Sequence, residues 1–131
     1  MAEPIEVLLI DDEPIVCERL GEFLRSKGVV VEAFTESEKA VARLDEKRFD
    51  VVITDLKMNG PTGLDILQYI REAQPSTQGI LITAYGMIES VHEAKMLEVF
   101  EVVHKPFQLA EIHKLVVKAA KRARKNRAGG E

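Results

Sequence analysis

The chain has 131 residues, a length that fits one domain, and its formal net charge of -4 favours solubility without naming a partner. Hydrophobic residues make up 46%, enough for an ordinary core, but aromatics are only 5% and Trp is absent, so Val, Ile, Leu and Ala must fill that core. The single Cys17 excludes an intramolecular disulfide, no apolar stretch approaches the roughly 20 residues of a membrane span, and the start MAEPIEV lacks the pattern of a signal peptide; a cytoplasmic protein is the expectation.

Ile5–Ile10 is an apolar run that predicts a strand buried on both faces. Pro14 suits a helix's first turn; Val16, Leu20, Phe23 and Leu24 then recur at helical spacing, and Gly28 ends the helix. Val29–Phe34 reads as a second strand. Thr35, Glu36, Ser37 and Glu38 offer capping residues for a helix through Leu44, with Ala40 and Val41 on its apolar face. Phe49–Thr54 is a third strand, and Asn59, Gly60, Pro61, Thr62 and Gly63 form a loop by composition. Leu64, Leu67 and Ile70 start a helix that Pro75 stops. Ile80–Thr83 is a fourth strand, Ile88, Val91 and Ala94 mark a fourth helix, and Val99–His104 is a fifth strand. A last helix after Pro106 turns Leu109, Ile112, Val116 and Ala119 inward.

Strands that alternate with helices imply parallel pairing and right-handed crossovers. The expected fold is an α/β three-layer sandwich, a flavodoxin-like (βα)5 unit whose parallel five-stranded sheet runs in the order 2-1-3-4-5. Residues 1–120 make one domain, and 121–131 a basic helix end and tail or the start of a linker. The segment Lys118–Arg127 holds six basic residues, and Gly129 and Gly130 break any helix beyond it. Without interleaved aromatics, and on an acidic domain, that segment reads as a solvated helix end more than a nucleic-acid contact.

Polar residues close four of the strands: Asp11 and Asp12 after the first, Asp55 after the third, Thr83 on the fourth and Lys105 after the fifth. The carboxyl ends of parallel strands are where ligands bind, and strands one and three are neighbours at the switch point, so the acids should meet. Carboxylates packed this close repel, and at least one pKa rises unless a cation intervenes. Mg²⁺ suits them, being hard and oxygen-seeking. Lys105 reaches back toward the acids, where it can neutralise an arriving phosphoryl group, and its bond to Pro106 is a candidate cis peptide. Taken singly, each residue has a plainer role: Asp11 and Asp12 as helix caps, Asp55 as a loop acid, Thr83 as a β-branched strand residue, Lys105 as a solvated lysine. Their joint order and spacing favour a site.

The segments LLIDDEP, VVITDLKMNGPTG, ILITAYG and VVHKPF resemble the receiver domain of bacterial two-component response regulators, over roughly residues 5 to 120. The resemblance implies that Asp55 is the phosphoacceptor, that Asp12 binds Mg²⁺ directly and Asp11 mainly through water, and that the backbone carbonyl of Lys57 completes the metal's protein ligands. Thr83 and Lys105 would each bond a phosphoryl oxygen. It further implies a signalling phosphoacceptor that catalyses only its own phosphoryl transfer and dephosphorylation. Its partner would be a sensor histidine kinase or phosphotransfer protein. A phosphorylation-promoted homodimer through helix four, strand five and helix five is implied too. No membrane contact follows, and nucleic acid enters only through a downstream domain.

The chain departs from that family at two positions. The family usually has Pro four residues after the phosphoacceptor, where this chain has Asn59, with Pro61 displaced two residues on. It usually has Tyr or Phe three residues before the Lys, where this chain has Val102, so a Thr-to-aromatic switch cannot operate there. Lys57 and Tyr85 occupy the family positions that flank the phosphoryl group and set its lifetime; both should obstruct the hydrolytic water.

Two other functions compete. A Mg²⁺-dependent phosphohydrolase with an aspartyl-phosphate intermediate needs an acid two residues after its nucleophile, and Lys57 stands there. A flavin or nucleotide module of this fold needs a Gly- or Ser/Thr-rich loop after strand one, where Asp11, Asp12, Glu13 and Pro14 stand instead. His92, His104 and His113 lack metal-ligand spacing. Cys17 is expected half-buried on its helix, Met58 packed beneath the loop, and Phe100 in ordinary packing.

Overall fold

The computed structural model describes residues 3–84 and 86–129. Its elements, in chain order, are β1 (Glu6–Ile10), α1 (Pro14–Ser26), β2 (Val30–Phe34), α2 (Ser37–Glu46), β3 (Val51–Asp55), α3 (Gly63–Ala73), β4 (Gln78–Thr83), α4 (Ile88–Met96), β5 (Glu101–His104) and α5 (Leu109–Ala128). All strand pairs are parallel, and the sheet order is β2-β1-β3-β4-β5. This is the flavodoxin-like α/β arrangement the alternation implies.

Successive strand side chains point to opposite faces, and here both faces are covered. Val7, Leu9, Ile53, Ile80 and Ile82 meet Leu20 and Leu24 of α1 and Ile112 and Val116 of α5. Leu8, Ile10, Val52 and Leu81 meet Leu44 of α2, Ile66, Leu67 and Ile70 of α3, and Ala94 of α4. That is why the strands read as nearly unbroken apolar runs. Among the described residues, no helix is long and apolar enough to cross a membrane.

Several local readings change. Cys17 is buried rather than half-buried, at 7% exposure, because its thiol turns in and donates to the Asp11 carbonyl at 3.3 Å. Helix α2 runs on to Glu46, past Leu44, and no side chain caps its start. The hydroxyl of Ser37, which that reading offered as a cap, donates instead to the Asn59 carbonyl at 2.9 Å. By contrast, α3 begins with a reciprocal cap between Thr62 and Asp65 inside the segment read only as loop. Phe100 packs partly buried against the α1–α5 side, with the Arg122 guanidinium 5.0 Å above its ring.

Helix α5 crosses residue 120 without a break, and Ala119, Ala120 and Ala123 are buried against the sheet. Two of the basic residues beyond it are not simply solvated. Arg124 bonds an Asp50 carboxylate oxygen at 3.1 Å and Arg127 bonds the other at 3.0 Å. Asp50 also accepts from the Glu6 amide at 2.9 Å. Burial raises the Asp50 pKa, but the amide and the two guanidiniums outweigh it and hold the carboxyl below its ordinary range. Gly129 caps the helix, and the end of the tail lies outside the described residues.

Asp50→Ala should leave the Glu6 amide and both guanidiniums without this partner and cost about 2–3 kcal/mol, less than a fully buried pair because the arginines are part-exposed. Chemical unfolding should show a lower midpoint at unchanged slope, with hydrogen exchange rising first in the last turns of α5.

Candidate functional site

Strand register assembles the site. Ile10 pairs with Thr54, so Asp11, one residue further, emerges beside Asp55. Asp55 pairs with Ile82, and Thr83 with His104, which sets Thr83 and Lys105 on the same rim. The Lys105 amide donates to the Thr83 carbonyl at 2.9 Å and so extends the ladder past the end of β5. The Lys105–Pro106 peptide is cis.

One carboxylate oxygen from each of Asp11, Asp12 and Asp55 lies within 4.8 Å of the others. Asp12 is exposed at the mouth, whereas Asp11 and Asp55 are buried. Asp11 Oδ1 accepts from the Glu13 amide at 2.9 Å. Its Oδ2 is buried without a hydrogen-bond partner among the described residues and has only the Lys105 ammonium at 3.3 Å, in ion-pair contact. Asp55 Oδ1 accepts from the Leu56 amide at 2.8 Å, which leaves Oδ2 for Lys105 at 3.5 Å. Lys105 is closest to the exposed Glu13, at 2.9 Å.

Burial is the largest influence on both inner acids and pushes their pKa values above the ordinary range. The Glu13 amide and Lys105 restrain the rise at Asp11; Lys105 and the Leu56 amide restrain it at Asp55. The repulsion expected among the carboxylates is present, but at Asp11 the Asp55 charge is a smaller cause than desolvation. Lys105 is likewise desolvated, yet Glu13, Asp11 and Asp55 together raise its pKa well above the usual lysine range, so it stays an ammonium.

Glu13, Asp55, Lys57, Thr83, Met87 and Lys105 line a cleft of about 240 Å³. Thr83 is buried, and its hydroxyl makes one long contact, 3.4 Å to the Ala84 carbonyl. The clustered donors are carboxylate oxygens, and Asp11 carries a buried oxygen without a hydrogen bond among the described residues, so the residues fit a hard divalent cation such as Mg²⁺. Chemically, the site offers a carboxylate anchored at one oxygen, with its other oxygen facing an ammonium in a cleft that Thr83 also lines.

A family model described as the response regulator receiver domain matches residues 7–117. The chain belongs to that family. Response regulator protein PilR of Pseudomonas aeruginosa is 31% identical over 114 residues, covering 87% of this chain and 26% of PilR. The probable transcriptional regulatory protein TcrX of Mycobacterium tuberculosis is 30% identical over 110 residues, covering 84% of this chain and 47% of TcrX. The crystal structure of a response regulator receiver domain protein from Clostridium thermocellum superposes with a TM-score of 0.86 at 28% identity, covering 92% of this chain and 97% of that one. The receiver thus spans about a quarter of PilR and about half of TcrX.

Within this receiver the structure gathers Asp11, Asp12, Asp55, Thr83 and Lys105 at one rim, with the exposed Lys57 at the cleft's edge. Tyr85 lies outside the described residues. Val102 is half-buried against the α2–α4 side of the sheet, opposite Leu81. Met58 is partly buried on the same side, under the loop. His113 packs edge-on to Phe23, and no histidine joins the acid cluster among the described residues. Sequence reasoning missed Glu13 as a partner of Lys105. The signal was an acid directly following the Asp pair, hidden because 92 residues separate it from the lysine.

Raised carboxyl pKa values mean that folding favours the protonated acids. The stability Asp11 and Asp55 contribute is fully present below their ordinary value of 3.8 and is lost as pH rises through their folded values. At neutral pH and without divalent metal, Asp55→Asn should therefore raise the thermal midpoint, and the advantage should shrink as pH falls toward 3.8. Asp50→Asn should show the reverse pattern, because its depressed pKa adds stability above 3.8 that is lost on acidification. Thermal melts in chelator across this range check both signs.

Proposed function

We propose that this receiver accepts a phosphoryl group on Asp55 from the phosphohistidine of a sensor histidine kinase or phosphotransfer protein, in a Mg²⁺-dependent reaction, and that phosphorylation switches an output surface. The observation that carries this reading is Asp55 itself. Its Oδ1 is fixed by the Leu56 amide while Oδ2 faces Lys105 in the cleft, in a cluster of three carboxylates.

Asp55 Oδ2 attacks phosphorus in line with the donor's P–N bond, which breaks as the P–O bond forms and releases the donor histidine's imidazole. Lys105 and the Thr83 hydroxyl take phosphoryl oxygens, and for this Lys105 gives up part of its contact with Glu13 and Asp11. Asp12, Asp55 and the Lys57 carbonyl would hold Mg²⁺ directly and Asp11 mainly through water, and the ion when bound would neutralise the acid cluster and the incoming phosphoryl charge. The protein catalyses only its own phosphorylation and dephosphorylation. Residues 1–120 form the receiver, and 121–131 its basic helix end and tail or the start of a linker. The setting is cytoplasmic, and any nucleic-acid contact belongs to a downstream domain of the kind that the name of TcrX suggests.

Thr83 and Lys105 shift toward the phosphoryl group and their loops repack, which alters the face of α4, β5 and α5. Ile88 supports this reading: it is 79% exposed and, with Val91 and His104, lines a cleft of about 250 Å³ on that face. The same face forms the phosphorylation-promoted homodimer.

Incubation with acetyl phosphate and Mg²⁺ should add one base-labile phosphoryl group by intact mass, and Asp55→Asn should add none. Labelling of Asp55→Asn at the wild-type rate would sink the assignment, and continuous phosphate release would point to the phosphohydrolase instead.

The adduct should persist for hours once the donor is removed, because the Lys57 stem crowds the water's approach to phosphorus. Lys57→Asn should shorten its lifetime in a mass time course. Equal decay in the two proteins would show that Lys57 does not shield the bond.

A further inference from the structure

The loop from Asp55 to α3 carries the backbone carbonyl assigned above to the metal, and it lacks the proline that usually stiffens it. Other contacts must fix its path, and one of them reaches across from α2. Ser37, 1% exposed at the start of α2, donates its hydroxyl to the Asn59 carbonyl at 2.9 Å. Gly60 follows with φ of 81° and lies against the same wall: a Cβ there would come within 3.2 Å of the Glu38 carboxylate and 3.3 Å of the Ser37 hydroxyl. A side chain there is strained by the backbone conformation and presses on the Glu38 and Ser37 side chains.

The other end of the loop is equally fixed. The Leu56 amide donates to both Asp55 Oδ1 and the Ile82 carbonyl, and the Gly63 amide returns to the Leu56 carbonyl at 2.9 Å. Gly63 must be glycine, since a Cβ would sit 2.4 Å from the Asp55 carbonyl oxygen. Between these anchors lie Lys57 and Met58. Lys57 is exposed and Met58 only partly buried, so packing alone does not hold them.

We infer that Ser37 is a positioning residue for the metal site. Its hydrogen bond to the Asn59 carbonyl replaces the missing proline, and it sets the Lys57 carbonyl relative to Asp11, Asp12 and Asp55. The inference rests on the Mg²⁺ site proposed above. Ser37 touches neither metal nor phosphoryl group; it acts through the loop.

The test is Mg²⁺ titration of the unphosphorylated full chain, followed by calorimetry and by thermal midpoint, with the Mg²⁺ dependence of acetyl phosphate labelling in parallel. Ser37→Ala keeps a residue that suits a helix's first turn, so the fold survives. It should raise the Mg²⁺ concentration for half-saturation by about three- to tenfold. The labelling rate at saturating Mg²⁺ should stay near wild type, a split that general destabilisation would not produce. Gly60→Ala, which disturbs the same wall from the loop side, should shift half-saturation in the same direction. Asp12→Ala is the control. If it weakens Mg²⁺ binding while Ser37→Ala leaves half-saturation unchanged, the positioning role is overturned and the metal site stands. If Asp12→Ala changes nothing either, the cluster does not hold the metal and both readings fall.

Discussion

Asp11 and Asp55 are buried side by side at the ends of neighbouring parallel strands, and this placement constrains the rest of the rim. Two desolvated carboxylates are costly as a pair of charges in any fold, and either a cation among them or a proton on one of them relieves that cost. Lys105 supplies one positive charge, delivered from β5 across the intervening β4. That charge does not restore either inner acid to its ordinary pKa, and Asp11 Oδ2 remains without a hydrogen bond among the described residues. The rim therefore concentrates negative charge at buried oxygens, and this fits the divalent cation proposed there.

The same strand holds an internal control. Asp50 and Asp55 stand at opposite ends of β3, both buried acids of the same type. At Asp50, an amide and two guanidiniums satisfy both oxygens, and the carboxyl titrates low. At Asp55, one amide and one distant ammonium leave an oxygen underused, and the carboxyl titrates high. The first pattern belongs to a carboxylate whose work is holding α5 and the start of the chain on the sheet. The second is the pattern that the proposed phosphoacceptor role of Asp55 requires. Burial alone does not separate the two; completeness of the partner set does.

This difference also explains what was legible in the sequence. Strand and helix alternation is a local pattern, and the ends of strands one, three, four and five carry their polar residues in plain view. Both the fold and the rim at Asp11, Asp55, Thr83 and Lys105 follow from spacing and parallel register. Contacts that depend on one side chain crossing the fold were hidden. Ser37 reaches Asn59 across 22 residues, Arg124 and Arg127 reach Asp50 across 74 and 77, and Glu13 reaches Lys105 across 92. Ser37 and the arginines also had a credible local role, Ser37 as a cap and the arginines as a solvated helix end. Tertiary geometry chose the distant partner in each case. Several strands also begin later than their apolar runs, because backbone pairing with a neighbour, not hydrophobicity, makes a strand. Phe49 is buried, yet its amide goes to the Gln74 side chain rather than to a neighbouring strand.

Val102 bears on how a change at Asp55 travels in the proposed switch. A valine opposite Leu81 and half-buried against the α4 side has few rotamers and no ring to turn inward. A signal from the rim must then pass through backbone. The structure has such a connection: the Lys105 amide bonds the Thr83 carbonyl at 2.9 Å, immediately beyond β5. Thr83 and Lys105 are thus tied through their main chains as well as gathered by their side chains. In the proposed switch, movement of either one toward a phosphoryl group would draw on the ends of both β4 and β5, and would displace the strand end beside Ile88 and His104 in place of rotating a side chain.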